Sequence, residues 1–318
     1  MRLAAITASH TPLMHTVERR GDARAAVDAA FAAARVFARE FRPDLVVVVA
    51  PDHYNGMFYD LMPPFCVGTT ADAVGDYGTS AGPLAVDRDA ARHVVREVLG
   101  AGIDLAMSER MVVDHGFAQP LELLLGGIDT VPTVPVFVNS VAVPFGPPHR
   151  TRLLGAALGR ALLALDRRVL LLGSGGLSHD PPLPQLEGAP PEVAARLVSG
   201  RNPSAEARAA REGRVRDAGL AVLAGDPGPR LNPAWDESFL DLLARGELAA
   251  TDAWTNEWIT AEAGNSAHEV RTWLACYAAL AEAGPYAVRS SFYRPIPEWI
   301  AGFGITTAET TEETRRSA

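Results

Sequence analysis

The stretch that most limits how this chain can fold is Asp44–Ala50, DLVVVVA. It holds a run of β-branched residues with no polar alternation, so neither face of the segment is suited to water. Such a run fits a parallel strand covered by helices on both sides, because crossover connections place helices over both faces of the sheet. Leu3–Thr7, Val134–Val138 and Arg168–Leu172 (RVLLL) read the same way, and Ile103–Met107 reads as a short strand or extended segment. Between them, Gly21–Phe41, Asp87–Leu99 and Thr151–Leu165 carry helical patterns. Strands alternating with helices predict an α/β fold: a central, largely parallel or mixed sheet flanked by helices. Beyond the Pro-rich stretch 181–203, the segments Ala205–Leu223, Trp235–Arg245, Asp252–Ala263 and Ala267–Ala283 predict a helical C-terminal layer. Residues 1–305 read as a single domain closed by the Pro-rich segment Tyr293–Trp299, and 306–318 as a polar, frayed tail.

The predicted strands end in histidines. His10 follows the first strand in Ser9-His10-Thr11-Pro12, and His53 follows the valine run in Pro51-Asp52-His53. His115 lies in Val112-Val113-Asp114-His115-Gly116, and His179 in Gly175-Gly176-Leu177-Ser178-His179-Asp180. These are four of the chain's 8 histidines. Ligands of open α/β sheets bind outside the carboxyl ends of the strands, so imidazoles gathered there predict a metal site with acid–base help. A single histidine at a strand end is ordinarily a hydrogen-bonded structural residue; the recurrence shifts the balance toward a site. Asp52, Asp114 and Asp180 each adjoin one of them, but neighbours on an extended chain point to opposite faces, so these carboxylates are expected to serve other partners.

Competing motifs fail on inspection. Gly173-Ser174-Gly175-Gly176 follows a strand but lacks the full dinucleotide fingerprint, and His-Asp-Pro-Pro follows in place of a helix. Leu172 stands where a serine-hydrolase elbow needs glycine. Glycine here lets the backbone approach a ligand or turn sharply before His179. A metal held by two histidines calls for a carboxylate, and Glu269 is the candidate. Spacing alone favours a different role for it: Ser266-x-x-Glu269 is a capping box ahead of the apolar stripe Val270, Trp273, Leu274, Tyr277.

Composition removes whole classes of function. The net charge of -9 disfavours nucleic-acid and acidic-membrane partners. All 29 basic residues are arginine, which excludes Schiff-base lysines, pyridoxal cofactors and P-loops. Cys66 and Cys276, isolated from each other, fit neither a cysteine metal site nor a disulfide framework and suit a reducing cytoplasm. No signal peptide and no apolar run long enough for a membrane span are seen.

Five stretches carry a resemblance to a known family: SHTPL (Ser9–Leu13), APDHYNGMFYDLMPPFC (Ala50–Cys66), VDHGFAQPLELLLGG (Val113–Gly127), LGSGGLSHDPP (Leu172–Pro182) and YRPIPEWIAGFG (Tyr293–Gly304). Together they resemble the class III extradiol ring-cleavage dioxygenases over nearly the whole chain, least so across 184–229. The resemblance implies Fe(II) held by His10, His53 and Glu269, which reverses the preference for a cap at Glu269. It implies an acid–base pair, His115 as proton donor and His179 as proton acceptor. It implies a catechol substrate such as 3-(2,3-dihydroxyphenyl)propionate, O2 as co-substrate, and a homo-oligomer, a tetramer being favoured. A carboxylate-ended substrate calls for a cation, and Arg294, in Phe292-Tyr293-Arg294-Pro295, is the candidate. Two rival functions remain at this level: a zinc-dependent hydrolase on the same His2Glu set, and a non-catalytic binding protein on a decayed fold.

Overall fold

A computed structural model describes residues 2–17 and 22–311. The strands are β1 (Arg2–Ala8), β2 (Leu45–Ala50), β3 (Phe65–Gly68), β4 (Ala71–Val74), β5 (Ala81–Pro83), β6 (Ala106–Ser108), β7 (Met111–Val113), β8 (Thr133–Val138), β9 (Arg168–Ser174), β10 (Tyr286–Ile296) and β11 (Ala301–Thr310). The helices are α1 (Ala23–Phe41), α2 (Arg88–Gly100), α3 (His115–Leu125), α4 (Pro148–Leu163), α5 (Pro191–Ser199), α6 (Ala205–Ala224), α7 (Pro233–Arg245), α8 (Asn256–Ala263) and α9 (Val270–Ala281).

The main sheet has 8 strands in the order β10-β11-β1-β9-β2-β8-β3-β6. Its centre, β1-β9-β2-β8, is parallel, and antiparallel pairings join β11 to β1 and β3 to β8. The valine run lies in this centre with every residue buried. Alternation splits it: Leu45, Val47 and Val49 join the core that contains residues of α2, α4 and α9, while Val46, Val48 and Ala50 join the core beneath α1 and α3. Both faces are therefore helix-covered, as the absence of polar alternation requires. A smaller sheet, β5-β4-β7, carries β7 and the start of α3 to the same edge as the ends of β1, β2 and β9.

Three expectations are corrected. The Pro-rich segment Tyr293–Trp299, expected to close the fold, instead forms the end of β10 and the turn into β11 of a β10–β11 hairpin, and β11 runs through Thr310. Thr306 and Thr307, expected in a frayed tail, are buried and paired with Thr7 and Ile6 of β1. Hydroxyls make this burial tolerable: the Thr7 and Thr306 Oγ1 atoms lie 2.6 Å apart, and Tyr277 Oη lies 2.8 Å from Thr306 Oγ1. β-Branched threonines suit a strand once their hydroxyls are satisfied. Residues 312–318 of that expected tail lie outside the described residues. The helix expected over Asp252–Ala263 is instead a 3-10 turn (Leu248–Ala253) followed by α8, divided where the Thr255 hydroxyl accepts from Trp258 N and caps α8. No helix among the described residues is long and apolar enough to cross a membrane.

Candidate active site

Four connections deliver the histidines to one point. His10 follows β1, His53 follows β2, His179 follows β9, and His115 is the first residue of α3, whose N-cap is Asp114. Three of the rings meet directly. His53 and His115 stack with centroids 4.6 Å apart, and His10 stands edge-on to both at 5.3 Å.

Each imidazole is oriented through Nδ1. Ser174 Oγ donates to the Gly116 carbonyl at 2.6 Å, so its lone pairs are left to accept from His10 Nδ1 at 2.9 Å. Asp114 Oδ2 accepts from His53 Nδ1 at 3.0 Å and from His53 N at 2.7 Å. Asp76 Oδ2 accepts from His115 Nδ1 at 2.6 Å, and the Leu177 carbonyl accepts from His179 Nδ1 at 2.8 Å. With Nδ1 carrying the proton in every case, Nε2 of all four rings is the atom left for chemistry.

Glu269 completes the cluster. Its carboxylate is buried, with Oε1 3.2 Å from His53 Nε2 and 3.4 Å from His179 Nε2, and Oε2 3.9 Å from His10 Nε2. Oε2 also accepts from Gly176 N at 2.7 Å. The Ser266 side chain makes no capping bond to this helix start, so the capping-box reading is overturned. A cap would have faced water, whereas the 3-10 turn Ala267–Glu269 points the carboxylate inward. The glycines after β9 permit the approach: a Cβ at Gly176 would lie 2.5 Å from His179 Cε1, and one at Gly175 2.8 Å from Glu269 Cβ.

The donor set suits a cation. His10, His53 and His115 each offer a ligand atom, all within 4.8 Å of one another, and Glu269 adds the anion that a buried dication needs. Burial pushes the His10 pKa down to about 3, so its Nε2 is an available lone pair. Burial disfavours the charged form of His53 too, but Asp114 and Glu269 outweigh it and hold that ring protonated unless a cation takes Nε2. Glu269 stays ionised despite burial because His179, His53 and His10 surround it. At His115 burial is outweighed by Asp76 and Asp114, and at His179 by Glu269; both are raised above the ordinary histidine range.

A cavity lies over the Nε2 atoms, about 520 Å³ to its open mouth, with His10, His53, His115, His179 and Glu269 in its wall. Its remaining wall is largely apolar, from Leu13, Pro181, Leu183, Val215, Trp299 and Ile300. Polar floor and apolar walls suit a flat molecule with hydroxyls on one edge.

The structure thus brings together five of the six residues singled out in the sequence. Arg294 is not among them: its guanidinium donates to Asp22 at 2.8 Å, and it lines no part of this cavity. The neighbouring aspartates do serve other partners. Asp114 holds His53 rather than His115, Asp52 accepts from the amides of Asn55, Gly56 and Met57, and Asp180 accepts from Asn265. Asp76 and Ser174 were not anticipated. Asp76 lies 39 residues from its histidine in a Gly-Asp-Tyr-Gly turn that carries no sequence signal, whereas Ser174 was visible as the one hydroxyl in the glycine loop.

Comparison with known proteins agrees with this picture. Residues 4–304 match the family model for the catalytic LigB subunit of aromatic ring-opening dioxygenase. A protein of Rhodococcus sp described as 2,3-dihydroxyphenylpropionate/2,3-dihydroxicinnamic acid 1,2-dioxygenase is 60% identical over 98% of this chain and 100% of its own length. Relatives of the same description from Rhodococcus jostii (strain RHA1) and Paraburkholderia xenovorans (strain LB400) are 59% and 55% identical, over 98% and 96% of this chain and 100% and 97% of their own lengths. Among solved structures, the crystal structure of uncharacterized protein JW3007 from Escherichia coli K12 shares the fold, with TM-score 0.53 at 14% identity over 98% of this chain and 100% of that one.

Proposed function

The chain belongs to the family of catalytic LigB subunits of aromatic ring-opening dioxygenases, and from that premise we propose that it is an Fe(II)-dependent extradiol enzyme acting on 3-(2,3-dihydroxyphenyl)propionate and 2,3-dihydroxycinnamate. Both atoms of O2 enter the product, a 2-hydroxy-6-oxo-dienedioate. The relatives' descriptions support this substrate class. Family membership weighs against the zinc-hydrolase reading, and the presence of all five proposed site residues in one cluster weighs against a decayed scaffold. A homo-oligomer, a tetramer being favoured, is part of the same proposal.

The observation that carries the reading is the commitment of every Nδ1, which leaves Nε2 of His10, His53 and His179 facing the buried Glu269 carboxylate, with the His115 ring stacked on His53 beside them. His10, His53 and Glu269 hold the metal. Bound Fe(II) supplies Lewis acidity toward a catechol hydroxyl and the redox chemistry that O2 requires.

The other two histidines move protons. His179 has only a carbonyl at Nδ1, and the charge raising its pKa is chiefly that of Glu269. Once Glu269 shares its charge with a cation, that support falls and His179 is a neutral base, ready to take a hydroxyl proton at Nε2. His115 draws its support chiefly from Asp76, which is not a ligand in this scheme. That support does not depend on Glu269, and His115 serves as the acid that donates from Nε2 during ring opening. The apolar walls exclude water from the reacting ring.

Anaerobic reconstitution with Fe(II), followed by oxygen uptake on 3-(2,3-dihydroxyphenyl)propionate, tests the proposal. Equimolar uptake with a yellow ring-opened product is expected. Absence of uptake on any catechol by iron-loaded protein contradicts it.

A further inference from the structure

A second cavity opens beside the first, about 510 Å³ in extent, and the two share His53, Tyr77, Leu183 and Val215 in their walls. Its outer wall holds three arginines: Arg196 from α5, and Arg211 and Arg214 from α6. In a chain of net charge -9 this is a local reversal of sign.

The cluster has an organised geometry. Arg211, Arg214 and Val215 stand at i, i+3 and i+4 of one helix, so they share a face. Val215 on that face also lines the cavity over the Nε2 atoms, which puts the arginines on the outward continuation of the same wall. Arg211 is anchored: it donates to the Tyr54 carbonyl at 3.2 Å and to Asn55 Oδ1, both in the loop that carries His53. The guanidinium groups of Arg196 and Arg214 make no ion pair or side-chain hydrogen bond among the described residues. Burial, together with repulsion from Arg214 and Arg211, lowers the Arg196 pKa. Glu192, which lines a neighbouring wall with Arg196 and Arg214, offsets part of that repulsion without a close ion pair; three guanidinium groups against one carboxylate leave a surplus of positive charge, and two of them next to an apolar slot match a carboxylate on an apolar arm.

We infer that Arg196 and Arg214, positioned with the help of Arg211, form the subsite that binds the side-chain carboxylate of the substrate. This rests on the proposed function, which supplies a catechol with a carboxylate-ended arm. The catechol oxygens face the Nε2 atoms, the arm passes between Leu183 and Val215, and the carboxylate meets the guanidinium pair. Arg294, with its guanidinium engaged by Asp22, is not needed for this role.

The test is a ratio. For iron-loaded wild type, Arg214→Gln, Arg196→Gln and Arg214→Lys, kcat/KM is measured with 3-(2,3-dihydroxyphenyl)propionate and with 3-propylcatechol, which lacks the carboxylate. Each glutamine variant is expected to lower the propionate-to-propyl ratio by about tenfold to a hundredfold, the worth of one charge-assisted bond, mainly through KM. Arg214→Lys should recover part of it. Calorimetric binding of 3-phenylpropionate, an unreactive analogue, should weaken in parallel. An unchanged ratio, or equal losses on both substrates, overturns the assignment. Failure of the proposed function itself would look different: wild type would open neither catechol.

Discussion

The sheet edge that holds the histidines and the α5–α6 segment that covers it are built to opposite specifications. At the edge, His10, His53, His115, His179 and Glu269 are all buried or nearly so, and each Nδ1 is tied to a named oxygen. Over the 20 residues of α6, by contrast, only Gly219 is buried, and Leu220 and Leu223 face outward at 41% and 38% exposure. Groups that exchange protons and bind a cation need fixed geometry, which a packed sheet edge provides. A cover that admits substrate and carries its specificity can be lightly packed, because stability falls toward the elements with few buried contacts.

Substitutions at the two regions should separate widely. The largest effect is expected from His179→Gln and His115→Gln, each lowering kcat by roughly a hundredfold to ten-thousandfold with iron still bound, as single-turnover kinetics would report. Either variant turning over at the wild-type rate would remove that residue from proton transfer. Beneath the edge, Leu171→Ala in β9 removes a fully buried side chain and should cost about 2–5 kcal/mol in denaturant unfolding. The matching change on the cover, Leu220→Ala, should stay within about 0.5 kcal/mol; equal costs would erase the contrast. Asp114→Asn, which loosens the grip on His53, should weaken iron binding by roughly tenfold to a hundredfold without removing a ligand. Asp76→Asn is expected to act on the pH profile. The Asp76 charge raises the His115 pKa, so its loss lowers that pKa. An acid must be protonated, so the alkaline fall in kcat should move to lower pH; a limb that stays in place would separate Asp76 from the acid.

The same contrast explains what could be read in the sequence. The valine run announced a double-covered parallel strand because burial on both faces leaves no polar alternation, and β2 lies at the centre of the sheet. Histidines after β1, β2 and β9 were legible because strand ends converge by topology. Asp76 was not, since its role is fixed by a turn in the smaller sheet, and no local spacing encodes that meeting. Glu269 was misread by spacing because a capping box and an inward carboxylate share the same letters; the motif resemblance, not periodicity, pointed to it. The β10–β11 hairpin was missed because its threonines look polar until their hydroxyls find each other across the sheet. Arg294 looked suited to substrate because residue type was the only clue, whereas pairing with Asp22 depends on tertiary contact.

The central claim is a division of labour: His10, His53 and Glu269 hold the metal, while His115 and His179 move protons. A ligand atom of His115 lies within 4.8 Å of those of His10 and His53, so His115 is itself near enough to compete for the metal, and the division is tested most directly by iron content. After anaerobic loading and desalting, His115→Gln should retain ferrous iron at the wild-type stoichiometry, and Glu269→Ala should retain none. Iron kept by Glu269→Ala and lost by His115→Gln would contradict the account.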